Sequence, residues 1–175
     1  VNSLIQHNGN LYAGTDKGLL IEANNSWSFV KGTEGYFINA LKNDQHNMLL
    51  VGTETGLIRL DTNDHVEYLN EHDGLPSRQI SSILIDNEEN IWLTSKRGGL
   101  VQLRNSNFVN ISVADGLSNQ YANIICQLDD GTIIVGNDNG GLDLIKNGEV
   151  KKMPLQTDLQ STSIKDIVED DNGNL

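Results

Sequence analysis

Ile80-Ser81-Ser82-Ile83-Leu84-Ile85-Asp86-Asn87-Glu88-Glu89-Asn90-Ile91-Trp92-Leu93-Thr94-Ser95-Lys96-Arg97-Gly98-Gly99-Leu100-Val101-Gln102-Leu103 is the stretch whose reading decides the fold. It reads as three short strands joined by two tight turns. The unbroken apolar run Ile83-Leu84-Ile85 predicts a strand buried on both faces. Asp86 to Asn90 has the composition of a turn, Ile91-Trp92-Leu93 is the next strand, and Gly98-Gly99 turns the chain into Leu100-Val101-Gln102-Leu103.

The same pattern occurs several times. The second strand recurs as Leu11-Tyr12-Ala13-Gly14-Thr15, Leu49-Leu50-Val51-Gly52-Thr53, Ile91-Trp92-Leu93-Thr94-Ser95 and Ile133-Ile134-Val135-Gly136-Asn137. Its fourth position falls at 14, 52, 94 and 136, which are 38, 42 and 42 residues apart. A Gly-Leu pair follows each copy, at Gly18-Leu19, Gly56-Leu57, Gly99-Leu100 and Gly141-Leu142. An apolar strand and a polar turn precede each copy, and a fourth strand closes it: Trp27–Val30, Val66–Leu69, Phe108–Ile111 and Glu149–Met153. Four strands per unit of about 42 residues, with no helical period, predict an all-β fold, a β-propeller of four-stranded antiparallel blades. The units run approximately over 1–37, 38–79, 80–123 and 124–163, with 164–175 opening a fifth. The innermost strand is expected to be sandwiched between blades, and the outermost to be half exposed and alternating, as in Val66-Glu67-Tyr68-Leu69. Leu175 lies 42 residues after Ile133, so residues 1–175 are expected to be part of one propeller domain whose remaining blades lie outside it.

Composition excludes several function classes. The net charge of −12 disfavours nucleic acid and anionic membranes, which need a basic footprint. The single cysteine, Cys126, rules out an internal disulfide and a Cys-rich metal site, and its apolar surroundings predict a buried small hydrophobe. The four histidines, His7, His46, His65 and His72, fall in polar segments without metal-ligand spacing and are expected at the surface. Asp170-Asp171-Asn172-Gly173-Asn174 and Asp129-Asp130-Gly131 look like pieces of calcium loops. Both occupy a slot that recurs in every unit, so they read as hairpin turns, and no metal or cofactor is expected. No nucleophile elbow, P-loop or catalytic triad can be read.

The lead-in Asp73-Gly74-Leu75-Pro76-Ser77 precedes strands of the form Ile-x-x-Ile-x-x-Asp and Asn-Ile-Trp-Leu, at 80–86 and 90–93, and Asp115-Gly116-Leu117-Ser118-Asn119 leads into the fourth unit in the same way. Together with the closing Gly-Gly-Leu, they make the chain resemble the two-component regulator propeller repeat family over nearly its whole length. Thr94-Ser95 departs from the family's Gly-Thr, one unit alone keeps the Trp, and the first lacks the lead-in. The resemblance implies the periplasmic sensor of an inner-membrane receptor, often tuned to oligosaccharides. Its implied partners are the rest of the propeller, a downstream transmembrane and signalling region carrying a histidine kinase or diguanylate cyclase, and a second receptor copy in a homodimer. It implies a non-enzymatic module; a propeller lyase or glycosidase and a protein-binding scaffold are the alternatives.

Internal repetition separates blade-building residues from the rest. Positions shared by all units hold the blade, and loop positions that differ can carry specificity. On the face formed by second-to-third-strand turns and by lead-ins, the differing residues include Tyr36, Arg78, Gln79, Lys96, Arg97, Asn119 and Tyr121. Arg78, Lys96 and Arg97 form a basic group in an acidic chain, suited to a ligand carboxylate or sulfate, and Tyr36 or Tyr121 is suited to stacking on a sugar ring. The competing reading of the basic group is a surface ion pair with Glu54.

Overall fold

The computed structural model describes residues 1–63, 65–76, 79–104, 107–138, 141–153, 163–170 and 173–175. Its strands form four antiparallel sheets, each a meander in chain order. The first contains β1 (Ser3–His7), β2 (Asn10–Thr15), β3 (Gly18–Ala23) and β4 (Ser26–Phe29). The second contains β5 (Ile38–Asn43), β6 (Leu49–Thr53), β7 (Leu57–Leu60) and β8 (Val66–Leu69). The third contains β9 (Ile80–Ile85), β10 (Ile91–Ser95), β11 (Gly99–Arg104) and β12 (Asn107–Ile111). The fourth contains β13 (Ala122–Gln127), β14 (Ile133–Asn137), β15 (Leu142–Lys146) and β16 (Glu149–Lys152). Each sheet is one four-stranded meander, with β13 starting at Ala122, two residues before the expected start of the fourth unit. The chain forms two compact units, Val1–Ile83 and Leu84–Leu175, described separately below.

In unit 1, Tyr12, Leu19, Val30, Ile38, Leu49, Val51, Ile58 and Leu60 form one core, built where β5 packs on β1 and β2. Glycine sets how closely this packing can approach. A Cβ on Gly14 would lie 2.6 Å from Ile38 Cγ2, and one on Gly52 would lie 2.9 Å from Ile80 Cγ2. Each second-strand glycine thus receives the β-branched residue that opens the following sheet. Asparagine locks the same approach, since Asn2 Nδ2 donates to Ile38 O at 2.9 Å and Asn39 Nδ2 to Ile80 O at 2.9 Å.

Unit 2 repeats the arrangement with one instructive change. Its core holds Trp92, Leu100, Leu117, Ala122, Ile125, Ile133, Val135 and Ile145. Gly136 faces Ile164, with a would-be Cβ 2.7 Å from Ile164 Cγ2. In the third sheet Thr94 stands in the glycine's place and the following sheet opens with Ala122 instead of isoleucine. Both are fully buried, and Thr94 Oγ1 donates to Asn123 O at 3.4 Å. The bulk added on one side has been removed from the other, so the departure from Gly-Thr leaves the packing intact.

Aspartates build the turns. Asp44 Oδ1 accepts from His46 N and Met48 N at 2.9 and 2.7 Å, and Asp86 Oδ1 accepts from Glu88 N and Asn90 N at 3.0 and 2.8 Å. The calcium-like segments use the same device. Asp130 accepts from Thr132 N at 2.9 Å and from Lys146 Nζ at 2.5 Å, and Asp170 from Asn174 N at 2.8 Å. Asp86 carries a second load, because its Oδ2 accepts from the buried indole Nε1 of Trp92 at 2.7 Å.

Four expectations need correction. The most buried strand is the second of each sheet: β6 and β14 are buried along their full length and β2 and β10 over their last four residues, whereas Leu84 and Ile85 of β9 are only half-buried. A second strand has partners on both sides in its sheet, but a first strand is an edge. His7 is buried, its Nδ1 2.9 Å from Asn43 Oδ1 and its Nε2 3.1 Å from Asn8 Nδ2, with its ring edge-on to Tyr12; the other three histidines are exposed. β8 does not alternate, since both Glu67 and Tyr68 are exposed, and β4 is exposed throughout. Cys126 is half-buried; burial pushes its thiol pKa up, as do the nearby carboxylates of Glu169 and Asp166. The lead-ins also contain what the periodicity does not show, two 3-10 turns at Glu71–Asp73 and Val113–Asp115. Each is closed by a capping box, from Asn70 and Ser112, and by a left-handed glycine, Gly74 and Gly116.

Replacing Asp86 by alanine should strand the Trp92 Nε1 and loosen the turn, costing about 1–3 kcal/mol. Asp44→Ala, which frees a turn alone, should cost less than Asp86→Ala in the same urea unfolding experiment. Equal losses would remove the special role given to the Asp86–Trp92 pair.

Candidate functional site

Turns between second and third strands are stitched by backbone hydrogen bonds to the lead-ins. In unit 1, Gly35 N donates to Lys17 O at 2.8 Å and Glu54 N to Phe37 O at 3.2 Å. In unit 2, Gly99 N donates to Gln120 O at 3.1 Å, Asp138 N to Tyr121 O at 3.1 Å and Ile164 N to Asn137 O at 3.1 Å. In each unit, the two loop sets expected to share a face are thus physically joined.

The candidates divide between the units. In unit 1, Tyr36 is half-buried and stacks on Tyr68, with ring centroids 5.8 Å apart and 29° between the planes. Tyr68 in turn donates its hydroxyl to Gly32 O, and burial raises its pKa. One face of Tyr36 is therefore occupied within the chain. A cleft of about 130 Å³ beside this pair is lined by Thr53, Thr55, Leu69 and Asn70. Gln79 Nε2 lies 3.5 Å from Glu54 Oε1, so an amide reaches the carboxylate considered as an ion-pair partner. Arg78 lies outside the described residues.

In unit 2, Lys96 and Tyr121 form an antiparallel bridge, which sets the exposed Lys96-Arg97 turn beside the lead-in Asn119–Tyr121. Arg97 adopts a left-handed φ of 83° at the tip of the turn. Asn119 Oδ1 accepts from Tyr121 N at 3.1 Å and so shapes the lead-in. Asp138 lies on the neighbouring second-to-third-strand turn of the same face. Its Oδ1 accepts from Ser163 Oγ at 2.6 Å and Asn123 Nδ2 at 2.9 Å, and these bonds hold its carboxyl below the usual range, with the ammoniums of Lys165 and Lys96 adding to the effect. Four sequence candidates therefore gather with Asp138, Ser163 and Lys165 into a mixture of exposed cations, one exposed carboxylate, and a half-buried amide, hydroxyl and phenol. Such a surface can bind an anionic or polyhydroxylated ligand through charge-assisted bonds. Among the described residues no three His, Cys, Asp or Glu side chains converge on a metal-sized site.

No protein-family model and no curated protein matches the sequence. Solved structures do. The extracellular domain of BT3049 from B. thetaiotaomicron, described as a hybrid two-component system, superposes with a TM-score of 0.80 at 18% identity, over 99% of this chain and 26% of that one. The extracellular domain of BT4673 from the same organism, described as a one-component system, gives 0.76 at 17% identity, over 91% and 25%. Virginiamycin B lyase from Staphylococcus aureus gives 0.69 at 10% identity, over 89% and 55%. The fold is a β-propeller. The chain spans about a quarter of the length of the two extracellular domains.

The hydrogen bonds to Asp138 predict its titration. Its pKa lies below that of an unfolded aspartate, so its contribution to stability is complete above the unfolded value and is lost as pH falls through the folded one. Ser163→Ala should raise the Asp138 pKa towards the ordinary value in a carboxyl-carbon NMR titration. An unchanged value would show that the bond from Ser163 does not set it.

Proposed function

We propose that this chain is part of an extracytoplasmic ligand-sensing propeller, and that the ligand meets the loop face of unit 2. The observation that carries the reading is the Lys96–Tyr121 bridge, which places Lys96 and Arg97 next to an aromatic lead-in in a chain of net charge −12. The ligand class that fits is an anionic oligosaccharide, its carboxylate or sulfate held by Lys96 and Arg97, its hydroxyls by Asn119 and Asp138, and a ring against Tyr121. Likeness to two extracellular domains of signalling systems supports the sensor setting. In that setting the domain belongs to the periplasmic part of an inner-membrane receptor, completed by further blades, linked to a transmembrane signalling region and acting as a homodimer. The module itself binds without catalysing.

Calorimetric titration of the chain with a sulfated chondroitin hexasaccharide, digalacturonate and neutral oligosaccharides tests the reading. An anionic sugar should bind in preference to the neutral ones, and Lys96→Ala and Arg97→Ala should each weaken it about tenfold, or about 1.4 kcal/mol. Undiminished affinity in both variants, or cleavage of the sugar during titration, would overturn it.

A further inference from the structure

At one register position of its third strand the fourth sheet carries a buried carboxylate where the other three carry an aliphatic side chain. Cross-strand register pairs Val135 with Asp143, Val51 with Ile58, Ala13 with Leu20 and Leu93 with Val101, so Asp143 occupies the place of Ile58, Leu20 and Val101. Asp143 is fully buried. Its carboxylate accepts from Ser118 N at 2.8 Å, Ser118 Oγ at 2.6 Å and Asn137 Nδ2 at 2.8 Å. Asn137 is itself fully buried and leaves its Oδ1 without a partner among the described residues. Burying a charge and an unpaired amide oxygen is costly, and the other three sheets carry an aliphatic residue at this register position.

The exchange changes what holds the loops. Thr15 Oγ1 and Thr53 Oγ1, which align with Asn137, donate to Gly18 O at 2.7 Å and Gly56 O at 2.9 Å, and so close their own turns. Asn137 and Asp143 instead tie the 137–138 turn to Ser118, at the start of the lead-in carrying Asn119 and Tyr121. Asn137 O also receives Ile164 N, next to Ser163, the donor to Asp138. One buried carboxylate thereby links two of the loop segments that contribute to the candidate surface, the 117–121 lead-in and the 137–138 turn. Building such a node at this sheet fits a need for loop geometry that turn closure alone does not supply.

We propose that Asp143 is a positioning residue: through Ser118 and Asn137 it holds the 117–121 lead-in and the 137–138 turn in the arrangement that meets the ligand, an inference that rests on the sensing role of the unit 2 face. The Asn137→Thr/Asp143→Val double variant gives the fourth sheet the residue types that β6 and β11 carry. Amide hydrogen exchange of the whole chain should show strand protection in β13–β16 kept, exchange at 117–121 accelerated at least tenfold, and affinity for the sulfated hexasaccharide reduced at least fivefold. Asp143→Asn, which keeps a carbonyl acceptor for Ser118, should restore part of both. Unchanged exchange at 117–121, or faster exchange with unchanged affinity, would overturn the proposal. If the double variant loses strand protection throughout, Asp143→Asn decides: faster exchange at 117–121 with intact strands supports the role, and unchanged exchange refutes it. A wild-type chain that ignores the sugar sinks the sensing role, and the exchange rates still decide whether Asp143 holds these loops.

Discussion

A glycine without a side chain lies against the residue that opens the next sheet, and this close approach governs how successive sheets stack. The clearances at Gly14, Gly52 and Gly136 are too small for even a methyl group, with would-be Cβ positions 2.6–2.9 Å from an isoleucine Cγ2. Protein interiors are close-packed and tolerate little extra volume, so neither member of such a pair can change alone. The Thr94–Ala122 pair shows the rule from the other side, where a larger residue in the second strand coincides with a smaller one in the first. The asparagine bonds from Asn2 and Asn39 then fix the register of the approach. Ser81 fills the aligned place in the third sheet, its Oγ is buried without a partner among the described residues, and a bond from Thr94 replaces the missing one on the following strand.

On this frame most recognisable residues are architectural. Asp86 and Trp92 hold a turn and a core together, and the Gly-Leu pairs bring the third strand beneath the outer one. A Cβ on Gly56 would lie 2.2 Å from Leu69 O, and its φ of 141° excludes ordinary side chains. What is left for function is the set of positions where units differ, namely the Lys96-Arg97 turn, the Asn119–Tyr121 lead-in, Asp138 and the buried node beneath them.

The strands and turns were legible in the sequence because each feature occurs at least four times in register, and repetition separates signal from chance. Burial was less legible. An apolar run such as Ile83-Leu84-Ile85 does not say whether its strand is an edge or a centre, and that depends on sheet order. His7 reads as a surface residue because its partner Asn43 lies 36 positions away. The 3-10 turns carried a readable signal, Asn70 and Ser112 each followed three residues later by aspartate, but two such turns of three residues leave no helical period. Of the candidate surface, the turn and lead-in positions followed from the repeat. Asp143 was visible only as a break in the rule that an aliphatic residue follows Gly-Leu, and its partners could not be read from spacing.

The pairing rule between sheets is most directly tested by reversing it where the chain departs from it. Thr94→Gly and Ala122→Ile should each destabilise the chain in urea unfolding, the first by opening a void and losing a hydrogen bond, the second by overpacking against Thr94. Combined, they recreate the Gly–Ile pair and should recover at least about 1 kcal/mol relative to the sum of the single losses. Single losses that simply add would contradict the claim that these two positions are set by each other.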